Sequence, residues 1–136
     1  MKTWSLLYAL IWVAFVQILI GVVPVLQPLI TYGVHPVVGL VVLVLSYLAF
    51  SQVKAAACPD RIKRITKTTF VLAAVQAFLG AGLYALVYLG ASGTVVDVVD
   101  FVHVVNALAI VTQASSSATA FDMWEEKEFS ATPTAL

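Results

Sequence analysis

The chain has 136 residues, of which 62% are apolar and only 10% charged, and its mean hydropathy is +1.02. This composition excludes a water-soluble globular domain, which needs a more polar surface, and predicts an all-α integral membrane protein. The formal net charge of zero argues against a nucleic-acid partner, and a single cysteine excludes an intramolecular disulfide.

Four apolar stretches are each long enough to cross the hydrocarbon core of a bilayer, which takes about 20 residues of helix. We expect membrane-spanning helices near residues 4–28, 34–57, 66–90 and 97–121. Pro24 and Pro28 are expected to kink and then end the first span. Residues 1–121 would then form an antiparallel four-helix transmembrane bundle, and the polar cytoplasmic tail, residues 122–136, is expected to fray.

The basic residues all lie on one side of this predicted bundle. They precede the first span, lie between or at the facing ends of the second and third, or follow the fourth: Lys2, Lys54, Arg61, Lys63, Arg64, Lys67 and Lys127. Because basic residues are retained in the cytoplasm, we expect a multi-pass protein of the plasma membrane with both termini cytoplasmic. The two histidines, His35 and His103, then lie near the opposite face.

The two helix hairpins repeat one pattern, Gln-x-x-x-Gly followed by His-x-x-x-small-Leu. The first copy places it at Gln17, Gly21, His35 and Gly39. The second copy places it at Gln76, Gly80, His103 and Ala107. Glutamine and histidine are 18 residues apart in the first copy and 27 in the second, so we place an insertion in the outer connection of the second. Parallel copies are related by a pseudo-twofold axis along the membrane normal, which predicts that the two histidines face each other.

The paired histidines have two interpretations. A histidine near the end of a span is more often an interfacial residue than a ligand, although ionisable groups inside membranes are often functional. Facing histidines in a helix bundle can instead hold haem, and two ligands suit haem iron better than zinc, which takes four. Asp97 and Asp100 would have to complete a zinc site, and this alternative stays open.

The small residues and the glutamines of the repeat also have two interpretations each. Glycine and alanine either let helices approach closely in lipid or leave room for a flat macrocycle between the two imidazoles. The amides of Gln17 and Gln76, near the middle of the membrane, either bond across helices or reach the edge of a porphyrin or a quinone.

With this repeat the chain resembles one half of a haem A synthase, a four-helix bundle whose second and fourth helices each present a histidine near the outer face. The resemblance covers most of residues 4–121. It implies that His35 and His103 are the axial ligands of a b-type haem. The residues around that haem would be Gln17, Gly21, Gly39, Gln76, Gly80 and Ala107.

The oxidising half of that family carries a glutamate three residues before a histidine and an arginine directly after it. Asp100 stands at the glutamate position here, and Val104 replaces the arginine. The resemblance therefore implies haem binding, carriage or oxidation, with Asp100 as the candidate catalytic carboxylate and haem O or haem A as substrate or product. It also allows a homodimer in place of the two-bundle form.

Two other functions fit the same pattern. A cytochrome b electron-transfer subunit that exchanges electrons with a quinone would also hold one haem between the histidines. A cofactor-free structural or assembly subunit would use the histidines as interfacial residues. Independently of the function, Asp100 is expected first of all to cap the start of the fourth span, where a carboxylate is favourable. The lipid bilayer is a partner in all three cases.

Overall fold

The computed structural model describes residues 2–22 and 33–131, which form four helices and no strand. The helices are α1 (Thr3–Val22), α2 (His35–Ala55), α3 (Asp60–Tyr88) and α4 (Thr94–Ala131). Each of them is long and apolar enough to cross a membrane. Within a bilayer a helix satisfies its own backbone hydrogen bonds, which is why apolar spans adopt this form. The predicted all-α four-helix membrane protein is confirmed.

The connections between the helices depend on proline and glycine. Residues 56–59 join α2 to α3, and Pro59 directly precedes α3. Residues 89–93 join α3 to α4 and include Gly90 and Gly93, whose φ angles of 78° and 77° favour glycine. The kink and stop expected at Pro24 and Pro28 lie outside the described residues.

The helices depart from the predicted spans mainly at the charged ends. Helix α3 begins at Asp60 rather than near residue 66, and α4 begins at Thr94 rather than near residue 97. The expected fraying of the tail after Phe121 is wrong as far as Ala131, because α4 continues to that residue. Extending an existing helix needs no new nucleus, and the glutamates of this segment are good helix formers.

The four helices occupy the corners of a square. Helix α1 packs against α2 and α4, and α3 packs against the same two helices, so that α1 lies diagonally opposite α3 and α2 opposite α4. The two hairpins are therefore arranged as the pseudo-twofold axis requires. The two histidines lie on the diagonal pair of helices, α2 and α4.

Most of the residues between Gln76 and His103 lie in helix, whereas the outer connection of the first copy, with which the expected insertion has to be compared, falls outside the described residues. Helix α3 continues for twelve residues after Gln76, whereas α1 is described for five residues after Gln17. His103 lies nine residues into α4, whereas His35 is the first residue of α2. At 1.5 Å per residue, the N-terminal part of α4 therefore extends about 13 Å beyond His103, away from the basic residues.

The bundle is tightly packed at only one end. We call this the basic end, because Lys54, Arg61 and Lys67 are exposed around the 56–59 connection there. Its buried side chains include Leu6, Leu7, Leu10, Val53, Ile62, Ala114 and Phe121. From there toward the opposite end, which we call the histidine end, no described residue is buried beyond Ala14, Val42, Ala73 and Ile110.

The polar side chains buried at the basic end bond mostly within their own helices. The Ser46 hydroxyl donates to the Leu43 carbonyl at 2.7 Å. The Thr66 hydroxyl donates to the Ile62 carbonyl at 2.8 Å and lies 3.5 Å from the hydroxyl of Ser117. With their hydroxyls satisfied in this way, these small residues pack as closely as alanine would, and no ligand is required to complete them.

The single cysteine gives a direct test of packing at the basic end. Cys58 is buried, and its thiol donates to the Val53 carbonyl at 3.5 Å. Burial raises the pKa of the Cys58 thiol, an effect that Lys63 only partly opposes. Since the thiolate is the reactive form, we expect slow maleimide labelling of the folded protein at neutral pH and fast labelling after denaturation.

A matched control places the cysteine two residues further along the chain. The Asp60 side chain is 89% exposed, so Asp60→Cys in a Cys58→Ala background should be labelled rapidly while the protein is folded. Equal labelling rates for Cys58 and for this variant would contradict the packing described here.

Candidate functional site

The two histidines meet across the diagonal of the bundle. The ring centroids of His35 and His103 are 6.2 Å apart, and the ring planes are inclined by 52°. Both side chains are half-buried, within the part of the bundle that contains no fully buried described residue. The expectation that the histidines face each other is confirmed, while their role as ligands stays a prediction.

Each histidine ring lies against the glycine of its own repeat. A Cβ atom added to Gly21 would lie 3.0 Å from His35 Cε1, and one added to Gly80 would lie 3.2 Å from His103 Cε1. Both separations are shorter than ordinary van der Waals contact, so a side chain at either position would press on the imidazole. These two glycines therefore make room for the histidine rings themselves, in the same way in both hairpins.

Gln17 and Gly39 form a second contact between α1 and α2. The Gln17 amide nitrogen, Nε2, donates to the backbone carbonyl of His35 at 2.9 Å. A Cβ atom at Gly39 would lie 3.1 Å from that nitrogen. The missing side chain at Gly39 thus gives the amide access to the first turn of α2. Ala107, the counterpart of Gly39, is half-buried in α4.

Gln76 has different partners from Gln17, although the two occupy the same position in the repeat. Its Nε2 lies 3.1 Å from Nε2 of His103, within hydrogen-bond distance. Its Oε1 accepts a hydrogen bond of 2.7 Å from Nδ2 of Asn106, which also donates to the Leu72 carbonyl at 3.0 Å. The amide of the second copy therefore bonds to the histidine ring, and the amide of the first copy does not.

Sequence reasoning did not identify Asn106 as a site residue. Its signal was available, because an asparagine within an apolar span must find a hydrogen-bond partner inside the bundle. The part played by the Leu72 carbonyl has no counterpart in the sequence pattern, since every residue of a helix carries a backbone carbonyl.

Three buried polar atoms of the site have no hydrogen-bond partner among the described residues: Oε1 of Gln17, Nδ1 of His35 and Nδ1 of His103. An unsatisfied buried polar group costs about 1–3 kcal/mol, and such groups are uncommon in folded proteins. Their concentration at the histidine end contrasts with the satisfied hydroxyls of the basic end.

The two carboxylates near the start of α4 do not join the histidines. Asp97 and Asp100 are exposed, and no three His, Cys, Asp or Glu side chains gather anywhere in the described parts of the chain. Asp97 lies in the first turn of α4 and Asp100 lies beyond it. The helix-capping position expected for Asp100 is therefore wrong, because α4 begins earlier than the sequence suggested.

The distance between the histidine rings suits a single metal ion held by both. With a metal–nitrogen bond of about 2.0 Å on each side, two imidazoles on opposite sides of one ion have centroids roughly 6.3 Å apart. The observed 6.2 Å matches this separation. For His103 to bind through Nε2, the Gln76 amide that now lies beside that nitrogen has to withdraw.

Comparisons with protein-family models, with curated proteins and with solved structures find no match to this chain.

The contact between Gly80 and His103 can be tested against Gly82 on the same helix, where an added Cβ atom would meet nothing within 4 Å. Replacing glycine by alanine within a helix stabilises it by up to about 1 kcal/mol. We expect Gly82→Ala to gain stability in this way and Gly80→Ala to gain none, because its methyl group displaces the imidazole. The measurement is the free energy of unfolding in mixed micelles; an equal gain in both variants would contradict the contact.

Proposed function

We propose that this protein binds one b-type haem between α2 and α4, with His35 and His103 as the axial ligands of the iron. The observation that carries the proposal is the 6.2 Å separation of the two imidazoles on diagonally opposite helices. One further feature supports it. The surrounding half of the bundle contains no buried described residue.

The residues of the site have separate tasks in this proposal. The histidines hold the iron, while Gly21 and Gly80 fix the positions of the rings by their close approach. A haem held by two imidazoles supplies one-electron chemistry at its iron. The apolar faces of the helices exclude water from the macrocycle. No described Lys or Arg lies at the histidine end, so the propionates would face water.

The function that we propose on this basis is haem A synthase-like: haem is bound and carried, and its oxidation would involve Asp100. This carboxylate lies three residues before His103, where the family resemblance places an acidic group. Haem O or haem A in the bound fraction would be the chemical signature of such a role.

A cytochrome b electron-transfer subunit is the second candidate. It is favoured by the exposure of Asp100, because a carboxylate directed away from the bundle is poorly placed to act on a bound porphyrin. Under this alternative the haem is reduced by a quinol and extracted chemically unchanged. Recovery of haem O or haem A would decide against it.

We also propose that the basic end faces the cytoplasm, by the retention of basic loops on that side. Asp60→Cys and Ser92→Cys, each in a Cys58→Ala background, place an exposed thiol at the two ends of the bundle. In intact cells a membrane-impermeant maleimide should label Ser92→Cys, and it should label Asp60→Cys only after permeabilisation. The reverse pattern would show that the orientation is wrong.

The haem proposal is tested by the reduced-minus-oxidised visible spectrum of the purified protein after expression with ample haem, with the extracted porphyrin identified. We expect a low-spin b-type spectrum, and we expect its loss in both His35→Ala and His103→Ala because each removes an axial ligand. Thr112→Ala is the control, since the exposed Thr112 hydroxyl bonds only to its own helix at the Leu108 carbonyl. A colourless wild-type protein would overturn the proposal.

A further inference from the structure

The second histidine is held by a chain of hydrogen bonds whose directions can be worked out from one fixed point. That point is the backbone carbonyl of Leu72, which can only accept. Because Asn106 Nδ2 lies 3.0 Å from this oxygen, the asparagine amide must direct its donor nitrogen there. The same nitrogen lies 2.7 Å from one terminal atom of Gln76, which must then be the accepting oxygen.

This assignment fixes the protonation of the His103 ring. With Oε1 of Gln76 turned toward Asn106, its Nε2 faces the imidazole and donates to Nε2 of His103 over 3.1 Å. A nitrogen that accepts carries no hydrogen in a neutral imidazole, so the proton of the ring is on Nδ1. The lone pair on Nε2, which is the one that could bind a metal, is covered by the glutamine.

The first copy of the repeat lacks this arrangement. Val38 stands where the second copy has Asn106, three residues after the histidine. Gln17 donates to the backbone of His35 rather than to its ring. No hydrogen bond from a described residue reaches the His35 imidazole, so neither of its nitrogens is covered by such a bond.

We propose that Asn106, acting through Gln76, keeps the Nε2 lone pair of His103 covered, so that an incoming haem iron is bound first by His35 and by His103 only after the Gln76 amide withdraws. The order of ligation rests on the proposed haem-binding function. Asn106 is a positioning residue in this scheme, since it acts on the iron only through Gln76 and His103. In this scheme His35 is the permanent ligand and His103 is the exchangeable one.

Binding of haem at His35 and binding at His103 differ in the hydrogen bonds that have to break. Binding at His35 breaks no hydrogen bond within the described site, whereas binding at His103 breaks the one from Gln76. His35 would therefore be the first of the two histidines free to hold a haem, and His103 would be free to hold it only after the Gln76 amide has moved. Substituting Asn106 frees Gln76 to turn and removes this barrier.

The first experiment uses the haem-free protein and reads the tautomer of each histidine from its ring ¹⁵N chemical shifts. We expect His103 of the wild type to carry its proton on Nδ1, and we expect this preference to be lost in both Asn106→Leu and Gln76→Leu. Val38→Leu places the same residue at the matching position of the first copy and should leave His103 unchanged. A proton on Nε2 in the wild type, or identical shifts in all four proteins, would overturn the relay.

The second experiment adds ferric haem to the same four proteins and follows the spectrum with time. In the wild type and in Val38→Leu we expect a high-spin species that converts slowly to the low-spin form. In the other two variants the conversion should be about fivefold faster, as the loss of one hydrogen bond implies. Equal conversion rates in all four proteins would overturn the proposed order of ligation.

The two experiments separate the two proposals. A protein that shows the expected tautomers but never takes up haem would overturn the proposed function and the order of ligation, and would leave the hydrogen-bond relay standing. A protein that binds haem through both histidines but shows no effect of Asn106→Leu would uphold the function and overturn the relay.

Discussion

A hydrogen-bonding side chain inside an apolar span must find its partner within the protein, because the surrounding lipid offers none. The two ends of this bundle meet that constraint in different ways. Short hydroxyls at the basic end, such as those of Ser46 and Thr66, bond to carbonyls of their own helices. The longer amides of Gln17 and Gln76 reach a neighbouring helix instead.

This difference in reach determines how closely the helices pack. A hydroxyl bonded to its own helix leaves a nearly smooth surface, and the buried described residues accordingly extend from the basic end as far as Ala14, Val42, Ala73 and Ile110. Imidazole rings and long amides occupy the space between the helices at the histidine end, where Gly21 and Gly80 are needed to admit them. Small residues therefore serve close helix contact at one end and the seating of polar rings at the other.

The sequence repeat predicted how the backbone places the two histidines. The hydrogen bonds around each ring depend on individual side chains that the repeat does not share. Matching Gln17 to Gln76 and His35 to His103 placed the histidines opposite each other, since a parallel duplication carries one hairpin onto the other. The same symmetry predicts equal surroundings for both rings, and this is where it fails. Asn106 replaces Val38 at one position, and that single amide redirects Gln76. Periodicity places a residue on a helix face but does not choose the partner of its terminal atoms.

The symmetric backbone sets the spacing of the two imidazoles, and the asymmetric side chains make the two imidazoles chemically different. In the proposed haem site, two imidazoles on opposite helices would hold the iron, and duplication of a hairpin places them at the observed 6.2 Å. Two equivalent imidazoles would bind and release the iron in no preferred order. A hydrogen bond to one ring alone makes the rings chemically different while leaving their spacing unchanged. A duplicated bundle can in this way acquire a direction for ligand capture through one polar residue, with no change in the path of its helices.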